Sequence, residues 1–298
     1  MNRRLLATVG TATAGLGITA RLLRSRNERR GRVEHSMVTR HKRPDPPGTA
    51  RLSVIVPAYR EERIGVAIQR LRTELADVDQ EGGLEIVVVD DGSHDGTADR
   101  AEAAGADVVI RQPVNRGKGA AVRAGVLASH GRVVAFTDAD LSYSPDQLLG
   151  LLEQVEAGWD VVVGSRRHTD TTTLVKAGRL REIGGRVINW LTTLVLLVHH
   201  RDTQCGLKAF RSDIGRLIFA HSHVDGFAFD VEVFHLVERW GLSLNEVPVR
   251  VENSNRSTVK VVRDAARLVR DLFRIRAWGR LGVYDLAPSD AIVLRPSG

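Results

Sequence analysis

The chain predicts an α/β fold, a mostly parallel sheet with helices on both faces. Two observations lead there. Short, continuous apolar runs alternate with segments of helical character along residues 52–166, and strands buried on both faces read as continuous apolar runs. Four of these runs also end in polar clusters: Pro57 to Glu61, Asp90-Asp91, Asp138 to Asp140, and Ser165-Arg166. Ligands of such sheets bind beyond the carboxyl ends of the strands. Packing alone gives no reason to place polar residues at one edge of four strands.

Taken in order, LSVIVPAY (52–59) reads as a buried strand running into a loop, and 62–77 as a helix. LEIVVVDD (84–91) is a second strand ending in two carboxylates. Residues 96–105 read as a helix, 106–112 as a third strand and 118–129 as a helix. GRVVAFTDAD (131–140) is a fourth strand ending in acids. Residues 144–158 are a helix opened by Ser144 and Pro145, and 160–166 a fifth strand. Further on, 259–276 reads as one amphipathic helix. Val261, Ala265, Leu268, Leu272 and Ile275 form its apolar stripe, with Lys260, Arg263, Arg267, Arg270 and Arg274 opposite. The apolar stripe docks either on the core or on lipid. Residues 24–50 are Arg-rich, then Pro-rich, and read as a linker. The chain therefore divides into an apolar and basic N-terminal anchor and linker (1–50), a folded α/β domain (51–258) and a basic amphipathic helix with its tail (259–298).

Composition sets the bounds. With 298 residues, 43% hydrophobic and 27% charged, the chain can bury a sizeable core, and general disorder is excluded. The single cysteine, Cys205, rules out an intramolecular disulfide and a cysteine-built zinc site. The net charge of +7 is unevenly spread. Residues 1–51 hold 12 basic and 3 acidic residues, 52–255 hold 22 and 29, and 256–280 hold 8 and 2. An acidic core with basic ends points to an anionic partner or to solvated tails. No aromatic residue interleaves with the bases of 1–51 and no nucleic-acid motif is present, so a membrane surface is favoured over nucleic acid.

Two uncharged stretches bear on that surface. Residues 5–20, flanked by arginines, are 16 long, short of the ~20 needed to span hydrocarbon. They read as an anchor that borrows Leu22 and Leu23, a signal-like segment or a surface helix, and retention as a single anchor is favoured. Residues 187–198 (VINWLTTLVLLV) read as a buried helix or as one lying in the membrane interface, with Trp190 at headgroup depth.

The candidate chemistry lies at the strand ends. Asp138-Ala139-Asp140 suits a hard divalent cation that takes phosphate oxygens as further ligands. Aspartates at strand ends also serve as plain caps, but Asp90 and Asp91 add weight here, since crowded carboxylates call for a cation or a donor-rich ligand. No G-x-G-x-x-G or Walker A pattern follows the first strand, which argues against NAD and P-loop chemistry. Asn115-Arg116-Gly117-Lys118-Gly119 opens a helix and offers N–H groups and a lysine to a phosphate.

In this order VIVPAYRE, VVVDDGSHDGT, NRGKGAAVRAG, FTDADLS, VVGSR and DTQCGLKAFR resemble family 2 glycosyltransferases of the GT-A fold, a Rossmann-like arrangement, and more narrowly the polyprenyl-phosphate hexosyltransferases. The resemblance covers about residues 52–262. It implies that Pro57, Ala58, Tyr59 and Glu61 cradle the nucleobase and ribose, with Asp90 near the base and Asp91 its donor-binding neighbour in the same turn. It implies that Lys118 lies near the donor, and that Asp138 and Asp140 hold Mg²⁺ or Mn²⁺ on the nucleotide diphosphate. Arg166 matches the arginine near the acceptor phosphate. Asp202, Gln204 and Lys208 match the sugar-pocket segment, and Asp230 and Glu232 the following F-D-x-E. The plain alternative for Lys208 and Glu232 is a structural ion pair. Asp140, Arg166 and Gln204 are the expected catalytic residues.

The intact D-T-Q-C-G at 202–206, and Ser142 where the mannosyl branch often carries Gln, lean towards UDP-glucose over GDP-mannose. In place of the mannosyl Gly-Ser-Lys cluster the chain has Asn255 to Lys260, with Arg256 or Lys260 as candidate diphosphate clamps. The implied reaction inverts the anomeric centre, moving a hexose from a nucleotide-sugar donor to a polyprenyl-phosphate acceptor at the cytoplasmic face of a membrane. A phosphate acceptor has its second pKa near ~6 and needs no base, whereas a hydroxyl acceptor needs one. Transfer to a hydroxyl, nucleotidyl transfer and a non-enzymatic membrane-surface role are the competing readings.

Overall fold

In the computed structural model, which describes residues 43–166, 172–173, 205–251 and 261–294, the five apolar runs form strands. They are β1 (Ala50–Ala58), β2 (Leu84–Asp90), β3 (Val108–Arg111), β4 (Gly131–Phe136) and β5 (Val161–Ser165). Four more follow: β6 (Thr172–Thr173), β7 (Lys208–Arg211), β8 (Leu244–Pro248) and β9 (Arg250–Val251). Seven make one sheet in the order β3-β2-β1-β4-β7-β5-β8, and β6 pairs with β9 beside it. β1 pairs in parallel with β2 on one side and β4 on the other. The chain order reverses there, and an open sheet leaves its ligand crevice at such a reversal.

One feature was not legible in the sequence. β7 runs antiparallel between β4 and β5, so the fifth strand does not lie beside the fourth. The four residues KAFR carry two cations and lack the apolar run that marks the other central strands.

The helices are α1 (Ile64–Glu74), α2 (Ala76–Gln80), α3 (Thr97–Ala103), α4 (Lys118–Ala128), α5 (Gln147–Glu156), α6 (Ser212–His221), α7 (Phe229–Arg239) and α8 (Val261–Arg280). The helix expected over 62–77 breaks at Leu75, which caps α1 and opens α2. Successive strand residues point to opposite faces, and the two cores follow that alternation. Ile55, Val87, Val89 and Val134 pack with α4, α6, α7 and α8, while Val54, Val56, Ile86 and Val88 pack with α1, α3 and α5.

α8 docks on the core through Leu268, Leu272 and Ile275, all buried, which settles the choice left open by its apolar stripe. Arg267, Arg270 and Arg274 stay exposed. The last linker residues are held against the domain. Arg211 Nη2 donates to the Pro44 carbonyl at 2.6 Å, and Ser212 Oγ to that of Pro47 at 2.6 Å. Among the described residues no helix is long and apolar enough to cross a membrane. The segments 5–23 and 187–198 lie outside the described residues.

Candidate active site

The carboxyl ends of β1, β2 and β4 meet at the reversal point, and hydrogen bonds tie the loops after β1 and β2 together. Asp91 N–H donates to Ala58 O at 2.9 Å, joining the end of β2 to the end of β1. Arg60 N–H donates to Ser93 Oγ at 2.8 Å, and Glu61 N–H to Thr97 Oγ1 at 3.1 Å. Pro57 and Ala58 end β1, with Ala58 buried. Tyr59 is 42% exposed, with the Arg60 guanidinium 5.1 Å from its ring centroid. This loop thus presents an aromatic face at the mouth of the crevice.

The two acids after β2 divide their tasks. Asp90 Oδ1 accepts from Ser93 N–H at 3.1 Å. Asp91 accepts from Arg116 N–H and Gly117 N–H, each at 2.8 Å. Burial raises the Asp91 carboxyl above the usual range, against the pull of those two donors. Both Asp91 oxygens serve as a brace for the Arg116-Gly117-Lys118 turn. Gly117 sits at φ +114, and a Cβ there would lie 2.6 Å from Asp225 O, so glycine is required. Asp225 caps the same turn: its carbonyl accepts from Ala120 N–H at 3.1 Å, and its carboxylate pairs with Arg116 at 3.1 Å and with Arg123. Asp225 lies more than 100 residues from its partners, and no motif marks it.

The braced turn aims Lys118 at the D-x-D. Lys118 Nζ donates to Asp138 Oδ1. Burial opposes the lysine's charge, but Asp138 and Asp230 outweigh it and hold the ammonium above the ordinary lysine range. Asp140 Oδ1 accepts from Ser142 N–H at 3.0 Å and from Ser142 Oγ at 2.8 Å. Burial, with the nearby Asp138 charge, raises the Asp140 carboxyl. Two partly buried carboxylates on one turn, one of them paired with Lys118, supply hard oxygen donors for a divalent cation. Among the described residues no set of three or more His, Cys, Asp or Glu is arranged to hold a metal. A cation here therefore needs further ligands from substrate oxygens and water.

Beneath the D-x-D, Lys208 Nζ donates to Asp230 Oδ1 at 2.7 Å and to Cys205 O at 2.6 Å. The ion pair considered for Lys208 and Glu232 is thus made with Asp230 instead. Glu232 accepts from His223 and Val224 N–H, each at 2.9 Å, and from Tyr284 Oη at 2.6 Å. It fastens the 223–224 loop to the C-terminal tail. Arg166 follows the carboxyl end of β5 and is exposed. Asp202, Gln204, Arg256 and Lys260 lie outside the described residues. Pro57, Ala58, Tyr59, Glu61, Asp90, Asp91, Lys118, Asp138 and Asp140 are brought to one edge.

Comparison with known proteins adds to this geometry. The family described as Glycosyl transferase family 2 matches residues 53–216. The chain is similar to dolichyl-phosphate beta-glucosyltransferase of Drosophila melanogaster, 35% identical over 258 residues that cover 79% of this chain and 77% of that one. It is also similar to the Homo sapiens protein of the same name, 30% identical over 259 residues, 80% of this chain and 78% of that. Among solved structures it resembles glucosyl-3-phosphoglycerate synthase from Mycobacterium tuberculosis in complex with Mn²⁺, uridine diphosphate and glucosyl-3-phosphoglycerate. The TM-score is 0.59 with 22% identity, over 83% of this chain and 84% of that. That likeness is one of fold: a mostly parallel mixed sheet with helices, of the GT-A kind.

Proposed function

The chain belongs to glycosyl transferase family 2, and on that premise we propose that it moves glucose from UDP-glucose onto dolichyl or polyprenyl phosphate at a membrane surface. The observation that carries sugar and acceptor is its likeness, along about four fifths of the chain, to relatives named for glucosyl transfer to dolichyl phosphate; the D-T-Q-C-G at 202–206 and Ser142 favour UDP-glucose as donor. The site supports the reaction class.

The acceptor is a phosphate monoester, mostly dianionic at neutral pH. It needs positioning and charge screening, not a base. Lys118 and the N-terminus of α4 present positive charge to the donor diphosphate. Arg166, at the end of β5, screens the acceptor phosphate, and Gln204 belongs to the sugar pocket. Pro57, Ala58, Tyr59 and Glu61 form the base and ribose wall, with Asp90 beside it. Asp138 and Asp140 would hold Mg²⁺ or Mn²⁺, which when bound offsets charge on the leaving nucleoside diphosphate. The glucosyl carbon is attacked by an acceptor oxygen from the face opposite the departing UDP, which inverts the anomeric centre.

Membrane contact completes the reading. The exposed Arg267, Arg270 and Arg274 of α8 lie near exposed Phe273, a combination suited to anionic headgroups. Residues 5–23 act as a single N-terminal anchor, and the catalytic domain lies on the cytoplasmic face.

The test is a transfer assay in detergent with Mn²⁺, offering labelled UDP-glucose or GDP-mannose with and without polyprenyl phosphate. Acceptor-dependent lipid labelling from UDP-glucose, lost in Asp140→Ala, is the expected result. Labelling from GDP-mannose overturns the donor. Labelling of a hydroxyl acceptor alone overturns the acceptor.

A further inference from the structure

Lys208 and Asp230 are out of water, the lysine completely and the aspartate to within 5%. A buried ion pair is weak evidence for stability, because desolvation offsets much of the attraction. Its surroundings suggest another role. Lys208 is the first residue of β7 and stands directly opposite Phe136, the last residue of β4, two positions before Asp138. Its ammonium lies 5.4 Å from the Phe136 ring centroid and 5.8 Å from that of Phe234. It spends two of its three donors on Asp230 Oδ1 and Cys205 O.

The Cys205 carbonyl leads into Gly206, and the Asp138 carboxylate rests on that glycine. A Cβ at 206 would run into Asp138 Oδ2. The ammonium therefore fastens the turn that forms the floor under Asp138.

We propose that Lys208 and Asp230 are a positioning pair. Lys208 holds the Cys205-Gly206 floor and Asp230 holds Lys208, so that the Asp138 carboxylate stands where a divalent cation and a diphosphate meet it. The proposal rests on the metal and donor reading given above. Neither residue touches the reacting atoms.

The test separates positioning from stability. In the full-length chain, Lys208→Met is combined with Asp230→Leu, which removes both charges together and avoids an unpaired buried ion. Thermal melting reports the fold, and Mn²⁺ uptake in the presence of UDP, followed by electron paramagnetic resonance, reports the site. The expected result is melting close to wild type with Mn²⁺ affinity lowered about tenfold or more, the range for partners that orient metal-holding groups. A double variant that melts and takes up Mn²⁺ like wild type overturns the proposal and leaves the metal reading standing. Should the double variant not fold, Gly206→Ala decides. It leaves the ion pair intact and pushes on Asp138, so the same loss of affinity is expected and unchanged affinity overturns the proposal. Wild-type protein that takes up no Mn²⁺ with UDP overturns the metal reading first, and this proposal with it.

Discussion

At the amino end of the sheet Arg43 meets Asp160, and at the carboxyl end Lys208 meets Asp230, so two buried ion pairs share one sheet. Their surroundings differ. Arg43 Nε donates to Asp160 Oδ1 at 2.8 Å, and its Nη1 to Val293 O at 3.0 Å. Ser243 N–H donates to Asp160 Oδ2 at 2.9 Å, while Asp160 N–H donates to Ser243 Oγ at 2.9 Å. This pair straps the start of the domain, the entry to β5 and the C-terminal tail together. The carboxyl-end pair instead stands among Lys118, Asp138 and Asp140, in a cluster of opposing charges. Burial of charge thus serves two ends here: it closes the fold at Arg43–Asp160 and, on the proposal above, sets the place of a carboxylate at Lys208–Asp230.

The comparison breaks most visibly at Asp160. Asp160→Ala leaves Arg43 buried without its partner and costs about 3–5 kcal/mol of stability. Urea unfolding measures that loss. Nucleotide binding at low temperature is expected to be unchanged, because the strap lies at the far end of the sheet. A matching fall in UDP affinity would erase the distinction between the two ends.

A second expectation concerns α7, the helix that carries Asp230. On the same helix His235 is largely buried, and burial, with the charge of Arg239, lowers its pKa from 6.5 to about 4. The unfolded chain therefore binds a proton that the native state refuses. The stabilising contribution is present above pH 6.5 and is lost as the pH falls through about 4, a total of about 3 kcal/mol. Stability measured from pH 7 to 4 should show the slope, and His235→Phe should flatten it. An unchanged slope in that variant assigns the acid sensitivity elsewhere.

Smaller effects sharpen the picture. Tyr284→Phe removes the hydroxyl donor from buried Glu232 and costs about 2 kcal/mol, read as a lower denaturation midpoint. Its two backbone donors remain, so the loop over α4 keeps its place and UDP affinity holds. Smallest is the outer face of α8. Arg270→Ala and Arg274→Ala each weaken binding to anionic vesicles by up to about fivefold, ~1 kcal/mol. Asp271 lies 2.9 Å from Arg270 and 3.7 Å from Arg274, which trims the effect. Flotation with neutral vesicles as the control checks it.

Several parts of the site were legible residue by residue. The D-x-D, the paired acids after β2 and the lysine at the start of α4 stand out, since charge gathered at the ends of several apolar strands and at a glycine-rich helix start is more than packing calls for. Their partners did not. Nothing in the sequence marks Asp225 as the cap of the α4 turn, or Arg43 as the partner of Asp160 across 117 positions. Asp91 reads as a ligand-side acid, and that its two oxygens also accept from Arg116 and Gly117 N–H has no mark in the sequence. Lys208 and Asp230 were visible only as motif letters, and their mutual pairing depends on β7 entering the sheet beside β4.

The local sequence by itself determined the alternation of strands and helices, the carboxyl edge that carries the polar clusters, and the uneven charge. Each follows from hydrophobic period and from backbone direction, which act within a few residues. Only the tertiary structure decided that β7 lies antiparallel between β4 and β5, that α8 turns its leucines onto the core, and which acid takes which cation. Those outcomes depend on side chains far apart in sequence competing for a few buried positions, where desolvation makes every unpaired charge costly.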